Sequence, residues 1–309
     1  MVFGESPLKD LYRRAVWGPW RELWERAPAG LEYRANWRLG WAVGHLAKGK
    51  HREVREVLAD VLPGHPDLDA VVHQSFGAHF ANQYASFAFG RINRDNWRSY
   101  LEIEGLEAVE AAVRSGEGLV LMHPHMGPAQ LPLCVLGVLG YPMHQVGGGV
   151  TEVEKSPAGQ WAASERARLE QRMPVTLHDG KAFLRGLLRA LGKGEVVLTA
   201  CDGTGGGREL GRRYVRTVLG RAMKLPVAAF YLAHRTKARL HPLHTVRDGR
   251  RWRSVIGPEL PVRRELPLEE ALEAGADETA AYLDAVLKKH PGDWLFWDQF
   301  RPGALLESV

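Results

Sequence analysis

The chain has 309 residues, a formal net charge of +5, 45% hydrophobic and 25% charged residues. This balance excludes a disordered chain, and the length allows a sizeable core in one large domain or two small ones. No stretch approaches the roughly 18 uncharged apolar residues of a membrane span, no charged n-region followed by an apolar h-region opens the chain, and Cys134 and Cys201 read as buried free thiols of a reducing compartment.

The first hundred residues read as helical. Residues 12–27, YRRAVWGPWRELWERA, space Trp17, Trp20 and Trp24 near the helical period, and residues 33–63 put apolar side chains on one face and Lys/Arg elsewhere. Leu68 to Phe89 is a third helix, whose aromatic residues serve either as core or as a surface for acyl chains. From Leu101 the pattern changes. LEIEGLEAVEAAVRSG is a strand, a turn and a helix ending near Gly116, and GLVLMHPH is a short apolar strand. A helix, a Gly-Tyr-Pro break and a strand ending in Gly147-Gly148-Gly149 follow. SERARLEQR is a helix, MPVTLHDG a strand, KAFLRGLLRALGKG a helix and EVVLTACDG a strand. After a Gly-rich loop come a helix, a meander of strands, and a last helix with an aromatic tail. Alternating strands and helices predict an α/β sandwich with a mostly parallel or mixed sheet. The expected division is a helical region over 1–100 and an α/β core over 101–309, together one compact domain.

His123 and His125 stand at the end of the strand around Val120–Met122, where polar groups often face a catalytic crevice. A histidine held by a hydrogen bond can take a proton from an alcohol or amine. Gln130, five residues on, is the local candidate to hold His125: its carbonyl can fix the ring, but it cannot neutralise an imidazolium. The alternative is that His125 merely caps a strand or helix. Metal binding would recruit His144, His178 and Asp202 beside His123 and His125, in a spacing that matches no closed zinc signature, so no metal is expected. His45, His51, His65, His73, His79, His234, His241, His244 and His290 have no comparable context.

The segment HMGPAQ after GEGLVLMHPH resembles the motif of the bacterial lipid A lauroyl/myristoyl acyltransferase family, within the glycerolipid acyltransferase superfamily: a histidine, four residues and a carboxylate after an apolar strand. His125 takes the histidine, Gly127 the glycine and Gln130 the acid position. LRGLLRALGKGEVVLTACDGTGGG resembles the family stretch in which Asp202 takes the aspartate. VRTVLGRAMKLPVAAFYLAHRTKARLHPLHTVRDG and HPGDWLFWDQFRP resemble later stretches, with Trp294 the best-matched residue and Trp297 and Arg301 fitting with a one-residue slip. The resemblance runs from roughly Tyr33 to Arg301. It departs at Gln130, at Met126 and Pro128, at Asp298 in place of a histidine, and in the family's N-terminal spanning segment, which is absent or strongly altered.

The resemblance implies a glycerolipid acyltransferase-like core: a mixed central sheet flanked by helices. It implies transfer of an acyl group from acyl-CoA or acyl carrier protein to a hydroxyl or amine of a lipid or other amphiphilic acceptor, with no bound cofactor. His125 is the expected base, with Gln130 and Asp202 in support. His123, Gly127, Trp297 and Arg301 are expected at the substrate, and Arg166 and Arg168 as donors to the developing oxyanion. Leu131, Leu133, Leu136 and Leu139 are candidates to line an acyl groove, with core packing the competing role, and Cys134 is expected to pack. Asp202 either forms a turn or positions acceptor or arginine. The Trp- and Arg-rich N-terminal helices suit a peripheral contact with the inner face of the cell membrane, or a dimer contact. The competing readings are a catalytically weak lipid- or acyl-binding protein, favoured by the uncharged Gln130, and a thioester hydrolase. Nucleic-acid binding is not expected, because basic residues are scattered and no recognition module is visible. Oligomeric state is left open.

Overall fold

Pro7 and Ser6 start the first helix. Ser6 accepts a hydrogen bond from the Lys9 amide at 3.2 Å, and proline at the first helical position loses no bond. The computed structural model describes residues 6–146, 156–178, 183–203 and 211–307. Helix α1 (Pro7–Ala15) passes through a π-turn (Val16–Trp20) into α2 (Arg21–Arg26). Residues 12–27 are therefore not one helix: Pro19 has no amide to donate, and Gly18 leaves helical geometry at ψ −107°. The 33–63 segment likewise divides at Ala47 into α3 (Leu31–Leu46) and α4 (Lys48–Val61). The third divides at Tyr84 and Ala85 into α5 (Leu68–Gln83) and α6 (Ser86–Phe89).

The remaining elements are β1 (Leu101–Glu104), α7 (Leu106–Ser115), β2 (Leu119–His123), α8 (Leu131–Leu139), β3 (Met143–Val146), α9 (Pro157–Glu170) and β4 (Thr176–His178), followed by α10 (Phe183–Gly192) and β5 (Val196–Ala200). Then come β6 (Arg213–Val218), β7 (Arg221–Pro226), α11 (Ala228–Thr236), β8 (Arg239–Asp248), β9 (Arg251–Ile256) and α12 (Leu268–Lys289). The sheet is ordered β1-β9-β8-β2-β5-β3-β4, and only the β8–β9 pair is antiparallel. This is the mixed central sheet flanked by helices, with a helical N-terminal region, of an acyltransferase-like fold.

β2 lies in the middle and is buried along its whole length. Val120 and Met122 point into one apolar core, Leu119 and Leu121 into another across the sheet. The first core also holds Val54, Leu58, Val72 and Phe76 of α4 and α5, so the N-terminal helices and the sheet share buried surface. Trp17 and Trp24 are buried as well, Trp17 edge-on to Phe87 at 5.1 Å. Trp17 and Trp24 therefore pack inward, while Leu8, Leu11 and Leu23 of α1 and α2, and Trp41 and Leu46 of α3, stay exposed.

One element has no counterpart in the sequence reading. β6 and β7 form a separate two-stranded hairpin before α11. Its two-residue turn takes positive φ at both Leu219 (51°) and Gly220 (73°), the conformation that matches strand twist. Leucine is an unfavourable choice there. It is held because its amide donates to Asp284 Oδ1 at 2.9 Å and its side chain is buried.

Candidate functional site

β2 and β5 are parallel neighbours, with His123 opposite Ala200. Two residues beyond that last pair the chains carry His125 and Asp202, so the register sets these two side by side at the carboxyl edge of the sheet. Pro124 ends the strand. Gly127 then takes φ 52°, where a Cβ would stand 2.8 Å from the Trp252 ring and 3.0 Å from the Thr245 carbonyl, so the turn demands glycine.

Three hydrogen bonds, each 2.7 Å, converge on the Asp202 carboxylate. The His125 amide and the Trp294 indole N–H donate to Oδ2, and His125 Nδ1 lies against Oδ1. Asp202 is 0% exposed. Burial pushes its pKa up, but the imidazole, the indole and the main-chain amide together outweigh that and hold it below the usual carboxylate range. An ionised carboxylate only accepts, so Nδ1 carries the proton, and in the neutral imidazole the lone pair lies on Nε2. The His125 side chain is 28% exposed, which leaves that lone pair within reach of a reactant. Phe296 lies against the imidazole at 4.7 Å between centroids. A Cβ at Gly203 would stand 2.8 Å from Phe296 Cε2 and 3.4 Å from His125 Cε1, so glycine there makes room for both rings.

The C-terminal segment completes the frame. Met126 pairs with Trp294 in an antiparallel bridge, the Leu295 amide donates to the His125 carbonyl at 3.0 Å, and the Gly127 amide donates to the Asp293 carbonyl at 2.8 Å. Burial pushes the Asp293 carboxyl up to about 7, against the pull of the Arg247 amide and charge.

Gln130 does not hold the imidazole. It precedes α8 and its carboxamide donates to Gln145 Oε1 at 3.4 Å, while the orienting position beside His125 belongs to Asp202. His123 is 2% exposed, with its ring 5.6 Å from that of His125; its Nδ1 donates to the Pro124 carbonyl at 3.0 Å, and its Nε2 has no partner among the described residues. Burial lowers its pKa to about 4, His125 acts in the same direction, and Asp202 and the Pro124 carbonyl act against both. Gly127 contributes backbone shape and no side chain.

Trp297 is not at an open surface: it is 1% exposed, donates to the Pro291 carbonyl at 2.8 Å and packs edge-on to Trp294 at 4.7 Å. Arg301 is 64% exposed and lies 3.7 Å from Glu53. Arg166 and Arg168 are tied within α9, to Glu170 at 2.7 Å and Glu165 at 2.6 Å, and α9 packs on α1 and α6. Leu131, Leu133 and Leu136 are fully buried core residues. Cys134 is also fully buried, and burial raises its thiol to about 12. His144 and His178 lie 3.0 Å apart on neighbouring strands, with His144 Nε2 2.8 Å from Glu195. Among the described residues no group of three or more His, Cys, Asp or Glu side chains is arranged to hold a metal ion. The turn at Gly147-Gly148-Gly149 lies outside the described residues, as does most of the Gly203–Gly207 run. Trp294, Phe296 and Gly203 are the neighbours of the His125–Asp202 pair that sequence reasoning did not assign. Their signal was the ordered match of the DWLF tail and the glycine after Asp202.

No helix among the described residues is long and apolar enough to cross a membrane. No curated protein matches the sequence significantly. The family model described as bacterial lipid A biosynthesis acyltransferase matches residues 19–301. That span includes the strand that ends before His125, the strand that ends before Asp202 and the segment that brings Trp294 to them, and the chain belongs to this acyltransferase family.

Proposed function

We propose that the protein transfers an acyl group from a thioester donor, acyl-CoA or acyl carrier protein, to a hydroxyl or amine of a lipid or other amphiphilic acceptor, with His125 as general base. The observation that carries this reading is the 2.7 Å contact of His125 Nδ1 with a buried carboxylate, while the His125 side chain is 28% exposed. The acceptor's proton moves to Nε2 as its oxygen or nitrogen bonds the thioester carbon. The tetrahedral adduct then expels the thiolate, which takes that proton from His125 Nε2 as the C–S bond breaks, returning the neutral imidazole. Asp202 stabilises the imidazolium that forms between the two steps. Neither cysteine is a suitable covalent nucleophile, since both are fully buried and burial raises both thiols. Arg166 and Arg168 serve the oxyanion only by leaving Glu170 and Glu165, so main-chain N–H groups near the motif are the simpler donors.

The glutamine at the family's acid position favours a binding protein without turnover only if nothing else supplies the charge. Asp202 supplies it, which favours an enzyme. A peripheral membrane contact is supported by Leu8, Leu11 and Leu23, exposed to 76%, 65% and 54% beside Arg14 and Arg26. The test is mass spectrometry of lipid extracts incubated with the protein and mixed acyl-thioesters, beside His125→Ala. New acyl-lipids that disappear with His125→Ala are expected. Undiminished transfer by the variant rejects the base assignment, and free fatty acid as the only product identifies a hydrolase.

A further inference from the structure

Beyond its last pairing with β2, strand β8 continues along the same edge of the sheet as His125 and carries Arg247. The guanidinium carbon of Arg247 stands 3.4 Å from the ring centroid of Trp37 on α3. The indole is itself seated by Gly77 of α5, where a Cβ would lie 2.5 Å from Trp37 Nε1. Stacking uses the face of the guanidinium and leaves its N–H groups pointing outward in the plane. Among the described residues none accepts a hydrogen bond from them. The Arg247 amide is anchored separately, to Asp293 Oδ2 at 3.3 Å, two links from the His125 turn.

Burial disfavours the charge on Arg247, Asp293 opposes that, and the exposed Arg38, one residue beyond Trp37, adds a smaller repulsion. Arg34 lies one helical turn before Arg38 on the same face. Among the described residues neither Arg34 nor Arg38 forms an ion pair, whereas Arg55, Arg212, Arg216, Arg221 and Arg239 at other surfaces do. Like charges held close cost stability, Asp293 offsets part of that cost at Arg247, and an anion between the guanidinium groups removes more of it.

We propose that Arg247, stacked on Trp37, and Arg38 form a binding subsite for a substrate phosphate ester at the rim of the His125 site. The planar N–H edge of Arg247 takes two phosphate oxygens and Arg38 a third. Such a phosphate belongs either to the carrier of the thioester donor or to the headgroup of the acceptor. The proposal deepens the acyl-transfer reading, and its test needs no turnover.

Isothermal titration of the full chain compares coenzyme A with pantetheine, and dihexanoyl-phosphatidate with dihexanoylglycerol. At least one phosphate-bearing probe should bind about tenfold or more tighter than its phosphate-free counterpart, and rising salt should shrink the difference. Preference within the first pair places the donor here, and within the second pair the acceptor. Arg38→Glu, at an exposed position that does not threaten folding, should remove most of the preference. Arg247→Lys should reduce it while keeping the charge, because the planar fork is lost. His125→Ala should retain it, which separates this subsite from the proton-transfer assignment. Absence of a phosphate preference in both pairs overturns the proposal, as does a preference unchanged by both arginine substitutions.

Discussion

Replacing Asp202 by asparagine separates the fold of the site from its chemistry. The carboxylate accepts three hydrogen bonds of 2.7 Å, two at Oδ2 and one at Oδ1. In Asp202→Asn the amide oxygen takes the Oδ2 position, because the main-chain amide of His125 and the Trp294 indole can only donate. The NH2 group then faces His125 Nδ1 and donates to it. Nδ1 becomes an acceptor, the ring proton moves to Nε2, and the lone pair that must receive the acceptor's proton is gone. General-base catalysis contributes about 10²- to 10⁴-fold, so kcat should fall by that factor, about 2.7–5.4 kcal/mol of barrier at 1.36 kcal/mol per tenfold. KM should change little and the fold should persist, since all three hydrogen bonds survive. Asp202→Ala instead leaves three buried donors unpartnered and should destabilise the protein by several kcal/mol. The assay follows acyl-lipid formation by mass spectrometry in parallel with thermal unfolding. Turnover by Asp202→Asn within threefold of the parent, at an unchanged melting temperature, would refute the dyad.

Three further outcomes follow from the same frame. Trp294→Phe removes one N–H donor from Oδ2 and should lower kcat about tenfold with a stability loss of about 1–3 kcal/mol, measured by turnover and chemical denaturation; full activity would mean that the indole N–H is dispensable. Gly127→Ala forces a side chain into φ 52° and against Trp252, and should cost about 1–3 kcal/mol, which denaturant midpoints at constant slope would report. Asp293 has its folded pKa raised to about 7, above the unfolded carboxylate value near 3.9, so the stability it contributes is present below about pH 4 and lost as pH rises through about 7. Asp293→Asn keeps an acceptor for the Arg247 amide and should raise the melting temperature more at pH 8 than at pH 5; an equal shift at both values would remove the titration argument.

The sheet and its flanking helices were legible because β2 and β5 are short apolar runs bounded by Gly, Pro and charged residues, and because α7 and α10 end in Gly116 and just before Gly194. The breaks in the N-terminal helices were less legible. Pro19 signals its kink, whereas Ala47 carries no local mark, and the two helices that meet there both pack on α5. The β6–β7 hairpin escaped because its turn is Leu-Gly, a pair with weak turn chemistry that Asp284 holds in place from a helix 65 residues away. His125 was legible as a polar residue at a strand end. The partner suggested by spacing, Gln130, was not the one in contact, because five residues along one chain here cross from a strand end to a helix start.

The contrast between Gln130 and Asp202 has a physical basis in the sheet. In a parallel pair the residues just past the strand ends lie side by side, whatever their distance in sequence. A carboxylate two residues past Ala200 therefore reaches a histidine two residues past His123 without any help from the intervening turn. That placement frees position 130 from the need for charge, and its carboxamide is spent on Gln145 of β3. It also makes the imidazole depend on three distant segments: the β2 end, the β5 end and the 293–296 stretch that supplies the indole, the amide of Leu295 and the ring of Phe296. Loosening the C-terminal segment should therefore impair activity before it unfolds the sheet, because Asp202 would lose its Trp294 donor and His125 both its carbonyl anchor and the ring against which it rests.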